Sequence, residues 1–303
     1  MKLAAKWLGR MNGFRRAEKL NEQGNAHSDA GDDDLALQAY EEALRLNPNA
    51  ANTLYNMGLV YKYRNDWAKS FDCNQRACSL RPDDEASRWN LAIAATALRD
   101  WATARKAWAD IGIRLDGTDG PIEGDFGPTP LRLNPAGNGE VVWGIRIDPV
   151  RAVLRNIPYP ESGFRFGDIV LHDGAGVGTR ILRGREYMVF NVLELFEASR
   201  LSTFCLEVKE ATEQQVAALK AAFDAANMPF EDWTATVRTL CKECSEGVPH
   251  EHGEDDGKEP KWNPTHRAGI AATSYEEIEA ILDRVPGIEQ MEIEISLELE
   301  APA

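Results

Sequence analysis

Residues 24–48 read GNAHSDAGDDDLALQAYEEALRLNP, and this stretch decides how the N-terminal third folds. Ala36, Tyr40 and Ala43 recur at helical spacing, Gly31-Asp32 offers a turn, and Pro48 stops a second helix because it cannot donate to the preceding turn. Gly24 lets the two helices approach closely. The same layout returns 34 residues on. The window 17–50, with Leu20 and Gly24, aligns with 51–84, which keeps Leu54, Gly58, Tyr61, Ala77 and Pro82; a third, more divergent window starts at Glu85 and keeps Leu91, Ala92, Ala104 and Trp108. A helix-turn-helix unit at this period is the signature of a stacked repeat array.

These residues resemble the tetratricopeptide repeat family over 17–112, with Ser70, Asn74 and Ile111 as departures from its pattern. The resemblance implies a concave groove, lined by the first helix of each repeat, that receives a peptide or a partner's helix. Carried over position by position, the groove residues are Asn21, Asn25, Asn52, Tyr55, Asn56, Lys62, Tyr63, Trp89 and Asn90. Asparagines offer a paired donor and acceptor to a peptide backbone, and Tyr or Trp supplies an apolar floor. The family's chaperone-binding subset also needs basic residues, and Asn21, Ala86 and Asn90 stand where they would be. An acidic chaperone tail is therefore not the expected ligand.

Working outward, the chain has 303 residues and a formal net charge of -15. Residues 1–16 hold five basic and no acidic side chains, whereas 201–303 hold eight basic against twenty-two acidic. That acidity disfavours nucleic acid or an anionic membrane as the main partner and favours a basic protein. Five widely spaced cysteines suit a reducing compartment, and no apolar run is long enough to span a bilayer, so a cytoplasmic protein is expected. In the basic stretch, Trp7, Leu8, Met11 and Phe14 at helical spacing predict an amphipathic helix covering the open end of the first repeat.

Glycine and proline dominate 113–130, which reads as a linker. Beyond it, short apolar runs at Val141–Ile147, Asp168–His172, Thr179–Leu182 and Tyr187–Phe190 predict a small, mostly antiparallel β-domain over 131–200. Gly174–Gly178 is glycine-rich but opens no helix, a poor fit to a phosphate loop. His172-Asp173 reads as a strand entering a turn, and Arg180, Arg183 and Arg185 as solvated or paired surface.

From Thr203 the elements alternate: a strand to Lys209, a helix opened by the capping box Thr212/Gln215, a strand at Trp233–Leu240, a strand at Arg267–Ala272, a helix capped by Ser274/Glu277, and a last strand at Met291–Leu299. The order βαββαβ is that of a ferredoxin-like module over 201–303. In the last strand, Met291, Ile293, Ile295, Leu297 and Leu299 alternate with Glu292, Glu294, Glu298 and Glu300, which predicts one apolar and one acidic face. A loop at 241–264 carries Cys241 and Cys244, then His250 and His252. Two thiolates and two imidazoles suit a tetrahedral structural Zn²⁺, with His266 in reserve.

The whole reads as a multidomain α+β chain of helical repeats, β-domain and ferredoxin-like module with a metal-binding hairpin. Its expected role is a non-catalytic binder that captures a partner through the groove and through an acidic surface bearing Glu292, Glu294 and Glu298. An immunity protein or chaperone neutralising a basic bacterial toxin fits that description. Two alternatives stand beside it: a hydrolase or transferase with a site near His172 and Asp173, and a metal-dependent regulatory adaptor.

Overall fold

The 34-residue period reappears in the helices of the computed structural model, which describes residues 2–137, 139–234, 263 and 265–302. They are α1 (Lys2–Asp29), α2 (Asp33–Leu46), α3 (Ala51–Tyr63), α4 (Trp67–Leu80), α5 (Glu85–Ala97) and α6 (Trp101–Asp110). Three sequence features recur at the same offset and explain the pairing. The turn residues Gly31, Asn65 and Arg99 all adopt positive φ, at 81°, 56° and 59°. Asp66 and Asp100, one residue later, accept hydrogen bonds from the backbone N–H of Lys69 and Thr103 and so cap α4 and α6. Within each pair a small residue faces a large one: Gly24 meets Tyr40, Gly58 meets Asn74, and in the third repeat Ala92 and Trp108 are both fully buried.

The departures at Ser70 and Asn74 are packed by polar means. Both are fully buried; the Ser70 hydroxyl donates to the Gly58 carbonyl at 2.9 Å, and Asn74 Nδ2 to the Ser70 carbonyl at 2.8 Å. The basic stretch 1–16 is no separate element. α1 runs unbroken from Lys2 to Asp29, so the stretch prolongs the first helix of the array and does not fold across its open end. After α6, the Arg105 guanidinium donates to the carbonyls of Asp116, Gly117, Gly120 and Pro121, which pins the predicted linker to the last helix. This helical unit ends at Glu123.

The second unit, Gly124–Ala303, opens with a closed barrel of β1 (Pro128–Arg132), β2 (Val141–Arg146), β3 (Arg151–Leu154), β4 (Ile169–Leu182) and β5 (Arg185–Glu197). Neighbours are antiparallel except at the seam, where β1 and β5 pair in parallel through Leu131 with Phe190 and Arg132 with Asn191. Leu131, Leu133, Val142, Leu154, Val170 and Val192 are among the side chains that fill it. The glycine-rich stretch is not a loop. It lies inside β4, where the Met188 side chain fills the place a Cβ on Gly176 would take.

The same unit continues with β6 (Ser202–Lys209), α7 (Glu213–Ala225), β7 (Phe230–Asp232), β8 (His266–Ala272), α8 (Tyr275–Leu282) and β9 (Glu292–Leu299), the sheet order being β7-β8-β6-β9, antiparallel throughout. Phe204, Leu206, Leu219, Phe223, Ile270 and Ile278 are prominent in the core between sheet and helices. The capping box at Thr212/Gln215 forms. A short strand lies at Phe230–Asp232, Trp233 covers Gly269, and residues 235–240 of the expected second strand lie outside the described residues. Two expectations are corrected. Ser274 makes no side-chain cap; Glu277 accepts from the Thr273 N–H instead. The alternation of the last strand fails at its end, where the register shifts between Thr203 and Phe204 and Leu297 is left 51% exposed.

Nor is the outer face of this sheet uniformly acidic and open. Ile157, Tyr159 and Phe166, from the barrel's β3–β4 connection, join Trp233, Cys205 and Ala271 in an apolar cluster on it. Glu231 accepts from Asn156 Nδ2 and the Ile157 N–H, Trp233 Nε1 donates to the Ile157 carbonyl, and Arg165 donates to the Glu300 carbonyl. These bonds join barrel and sheet into one body. Outward carboxylates remain on β9 and at Glu207 of β6, which lies 4.0 Å from Arg267.

The small-against-large pairing makes the helical unit sensitive to one methyl group. A Cβ at Gly24 would sit 2.4 Å from the Tyr40 ring, and Gly24→Ala is expected to cost about 1–3 kcal/mol by overpacking. Thermal unfolding of the variant, with Gly13→Ala on the same helix as an uncrowded control, measures it.

Candidate functional site

The groove is built on the first helices, α1, α3 and α5. Because their pairing with α2, α4 and α6 repeats in register, positions 34 residues apart line up. Asn56 on α3 donates through Nδ2 to Asn25 Oδ1 at 2.8 Å and to Asn21 Oδ1 at 3.2 Å, both on α1. Tyr40 of α2 donates its hydroxyl to the same Asn25 Oδ1 at 2.9 Å. Burial, with Asp29 and Asp33 adding to it, pushes the Tyr40 phenol up to about 12, so it stays a donor over the whole physiological range. Three of the sequence-selected asparagines thus form one network, and Tyr40, which the sequence marks only as a core aromatic, fixes its orientation.

A polar cleft of about 670 Å³ lies beside this network, lined among others by Asn21, Glu22, Asn49, Asn52 and Arg81. The Arg81 guanidinium donates to Asn52 Oδ1 at 2.7 Å. Arg81 closes the second repeat just after α4, and only the fold reveals its approach to α3. Tyr55 is half-buried and Tyr63 is 60% exposed. Other selected residues are placed differently. Lys62 is buried, with its ammonium 4.5 Å from the Tyr63 ring centroid, because its stem packs within the array. Asn90 is buried and donates to the Ala86 carbonyl one turn back on α5. Trp89 is half-buried and meets Trp108 edge-on at 4.9 Å, serving the third repeat's packing as well as its surface.

At the acidic surface, Glu292, Glu294 and Glu298 are exposed, and Glu292 pairs with Lys209 at 2.8 Å. Cys241, Cys244, His250 and His252 lie outside the described residues. Among the described residues no group of three or more His, Cys, Asp or Glu is placed to hold a metal ion. His266 is engaged elsewhere, with Nδ1 3.2 Å from Asp232 Oδ2. Burial pushes the Cys73 thiol up to about 11 and raises those of Cys78 and Cys205, so these three are not thiolates near neutrality.

In the barrel, His172 is fully buried, its ring stacked on Phe190 at 5.1 Å. Nδ1 lies 2.8 Å from the Asp173 carbonyl, which can only accept, so Nδ1 carries the proton. Asp173 in turn accepts from the N–H groups of Gly174 and Ala175. These bonds hold the irregular stretch of β4 where its register with β5 shifts between His172 and Gly176, and the imidazole is fully buried there. Asp148 likewise caps the β2–β3 turn and pairs with buried Arg151.

Residues 24–65 match the family model for the TPR repeat. That match supports a protein-binding role for the helical unit. Curated relatives include the photosystem I assembly protein Ycf3 of Prochlorococcus marinus strain NATL1A, 34% identical over 82 residues, which covers 27% of this chain and 47% of that protein. The same protein from strain MIT 9303 is 36% identical over 80 residues, covering 26% and 46%. The chain thus spans about half the length of the curated relatives it matches. Similar solved structures include the second TPR of Spaghetti (RPAP3) bound to an HSP90 peptide, at 14% identity and TM-score 0.36, covering 38% of this chain and 99% of that one. The Arabidopsis OM64 TPR domain has 18% identity and TM-score 0.31, covering 32% and 80%. No helix among the described residues is long and apolar enough to cross a membrane.

Burial makes His172 a source of acid sensitivity. Desolvation holds its folded pKa down at about 4 against 6.5 for the free side chain, so its contribution is complete above pH 6.5 and is lost as the pH falls towards 4. Across that window it removes up to about tenfold in the folding equilibrium per pH unit. Urea unfolding between pH 7 and 4.5 should show a shallower loss for His172→Phe than for the unaltered chain; parallel losses would place the sensitivity elsewhere.

Proposed function

We propose that this chain is a non-catalytic protein-binding protein that holds a partner in the groove of its repeats and presents Glu292, Glu294 and Glu298 as a second contact for a basic protein. The observation that carries this reading is the Asn21–Asn25–Asn56 network across two adjacent first helices, with exposed Tyr63 on the same helix as Asn56. Asn25 spends its carbonyl on Tyr40 and Asn56, so its amide N–H groups suit a backbone carbonyl of an incoming chain. Glu18 and Glu22 in the cleft wall favour basic over acidic side chains in that chain. Within this class, an immunity protein or chaperone that neutralises a basic bacterial toxin or effector suits a chain of net charge -15.

Two substitutions separate binding from folding. Tyr63→Ala removes an exposed ring, while Asn56→Ala takes away the donor that joins α3 to α1. With a partner captured from the native host and titrated against purified protein, each is expected to weaken binding by about tenfold or more, the range of an interface anchor. Unchanged affinity in both, with melting temperatures preserved, would remove the groove from the binding surface.

The metal reading of Cys241, Cys244, His250 and His252 is kept as part of this proposal, with Zn²⁺ as a structural or regulatory ion. It is supported by the donor set and by the way the flanks of the segment are held side by side: Trp233 N–H donates to the Arg267 carbonyl and Arg267 N–H to Thr234 Oγ1. Bound zinc would close the hairpin between those flanks. Elemental analysis of purified protein should find about one zinc per chain, and Cys244→Ser should lose it. An unchanged zinc content in the variant would reject these ligands.

A further inference from the structure

From Gly178 outward β4 and β5 pair in the sheet only with each other, since β3 pairs with β4 no further than Leu171 and β1 with β5 no further than Phe190, although the Thr129 hydroxyl still donates to the Met188 carbonyl at 3.4 Å. The two strands run on past the barrel as a ribbon that turns at Arg183-Gly184, both with positive φ. A two-stranded ribbon is marginal in water without support. This one is supported on one face, where Arg180 pairs with Tyr187 across the strands, Arg185 lies over the Tyr187 ring at 5.1 Å, and Tyr187 meets Trp143 edge-on at 5.5 Å. The other face, formed by the pairs Thr179–Met188 and Ile181–Glu186, is bare. Ile181 is 75% exposed, more than any other large apolar side chain among the described residues, and Met188 is 49% exposed. With three arginines against Glu186, the ribbon tip is basic in a chain that is otherwise strongly acidic.

The matching surface is β9. Among the described residues it is an edge strand, bonded to β6 alone. Its faces alternate as the ribbon's do, with Leu297 51% exposed on one and Glu292 and Glu294 on the other. We propose that the ribbon of one copy adds to the β9 edge of a second copy of this chain. Strand addition would satisfy the open backbone edges of both and set Ile181 beside Leu297 on one face. Arg180 would then lie against the glutamates on the other, with Arg183 at the turn beyond it. Glutamates on an exposed edge resist pairing with a neutral or acidic strand, so an arginine-bearing strand is the one they admit. The self-contact leaves the groove free but occupies Glu292 and Glu294, the surface assigned above to a basic partner, so the two compete for the β9 edge, whereas Ile181 belongs to the self-contact alone.

Sedimentation velocity of the full chain tests it, at protein concentrations on the order of 100 µM and from about 0.1 M to 1 M salt, over which the screening length falls from about 10 to 3 Å. The chain is expected to form dimers or larger species that dissociate as salt rises. Ile181→Asp, at a position already in solvent, should weaken association by about tenfold or more with the melting temperature unchanged. Reversing Arg180 and Arg183 to Glu should do the same, and adding Glu292→Lys and Glu294→Lys to that variant should restore association. A chain monomeric at every concentration, or association indifferent to Ile181→Asp, overturns the proposal. So does failure of the paired reversal to restore binding, which would place the contact away from β9.

Discussion

Close approach of two helices at a small residue is the constraint on which the helical unit depends. Gly24 leaves room for the Tyr40 ring, Gly58 for the Asn74 amide, and Ala92 stands in the same place opposite Trp108. Each pair sets how deeply the second helix of a repeat sits against the first. Repeating the setting keeps successive first helices in register, and that register is what lets Asn56 reach both Asn21 and Asn25. The groove chemistry is therefore a consequence of packing two layers away. It also bears on the polar departures at Ser70 and Asn74: they fill the space beside Gly58, with the Ser70 hydroxyl and the Asn74 amide N–H bonded inside the pair and Asn74 Oδ1 buried without a partner.

An analogous close approach holds the second unit together. Trp233 and Ile157 lie against Gly269, where a Cβ would fall 2.4 Å from the indole, and the Trp233 N–H closes onto the Ile157 carbonyl. Glu231 accepts from Asn156 and Ile157 beside them. The barrel thus covers the β8 and β6 part of the sheet's outer face, and the acidic character read from the last strand is confined to the β9 margin. A partner attracted by charge meets an edge strand there, not a broad open sheet.

What was legible in the sequence follows from range. The repeats were plain because their determinants, Gly24, Tyr40, Pro48 and the 34-residue echo, act within one turn or one helix pair. The strand over 203–209 and the helix opened by the Thr212/Gln215 box were legible for the same reason, since both rest on local signals. Features set by distant contacts were not. The glycine stretch 174–178 looks like a turn until Met188, from the partner strand, is seen occupying the space above Gly176. Lys62 and Asn90 look like groove residues by position and are buried by the packing around them. Trp233 lies over Gly269 of a neighbouring strand. Cross-strand neighbours decide such cases, and a linear pattern does not carry them.

The distribution of polar groups between interior and surface bears on what the molecule can do. In the barrel the buried ionisable groups serve the backbone: Asp148 accepts from Val150 and Arg151, Asp168 from Arg165 and Ser199, and Asp173 from Gly174 and Ala175, while His172 is tied to a carbonyl. Carboxylates occupied in this way hold turns, and protonating or removing one costs fold stability before it alters any surface property. The groups left at the surface are of another kind. They are the amides and phenol of the first helices, the carboxylates of β9 and the guanidinium groups of the ribbon, all suited to holding another chain by hydrogen bonds and charge. The groove stands apart from the other two, so its contribution can be measured by itself, whereas the acidic edge and the ribbon are the two halves of one proposed contact and are separated only by paired substitutions.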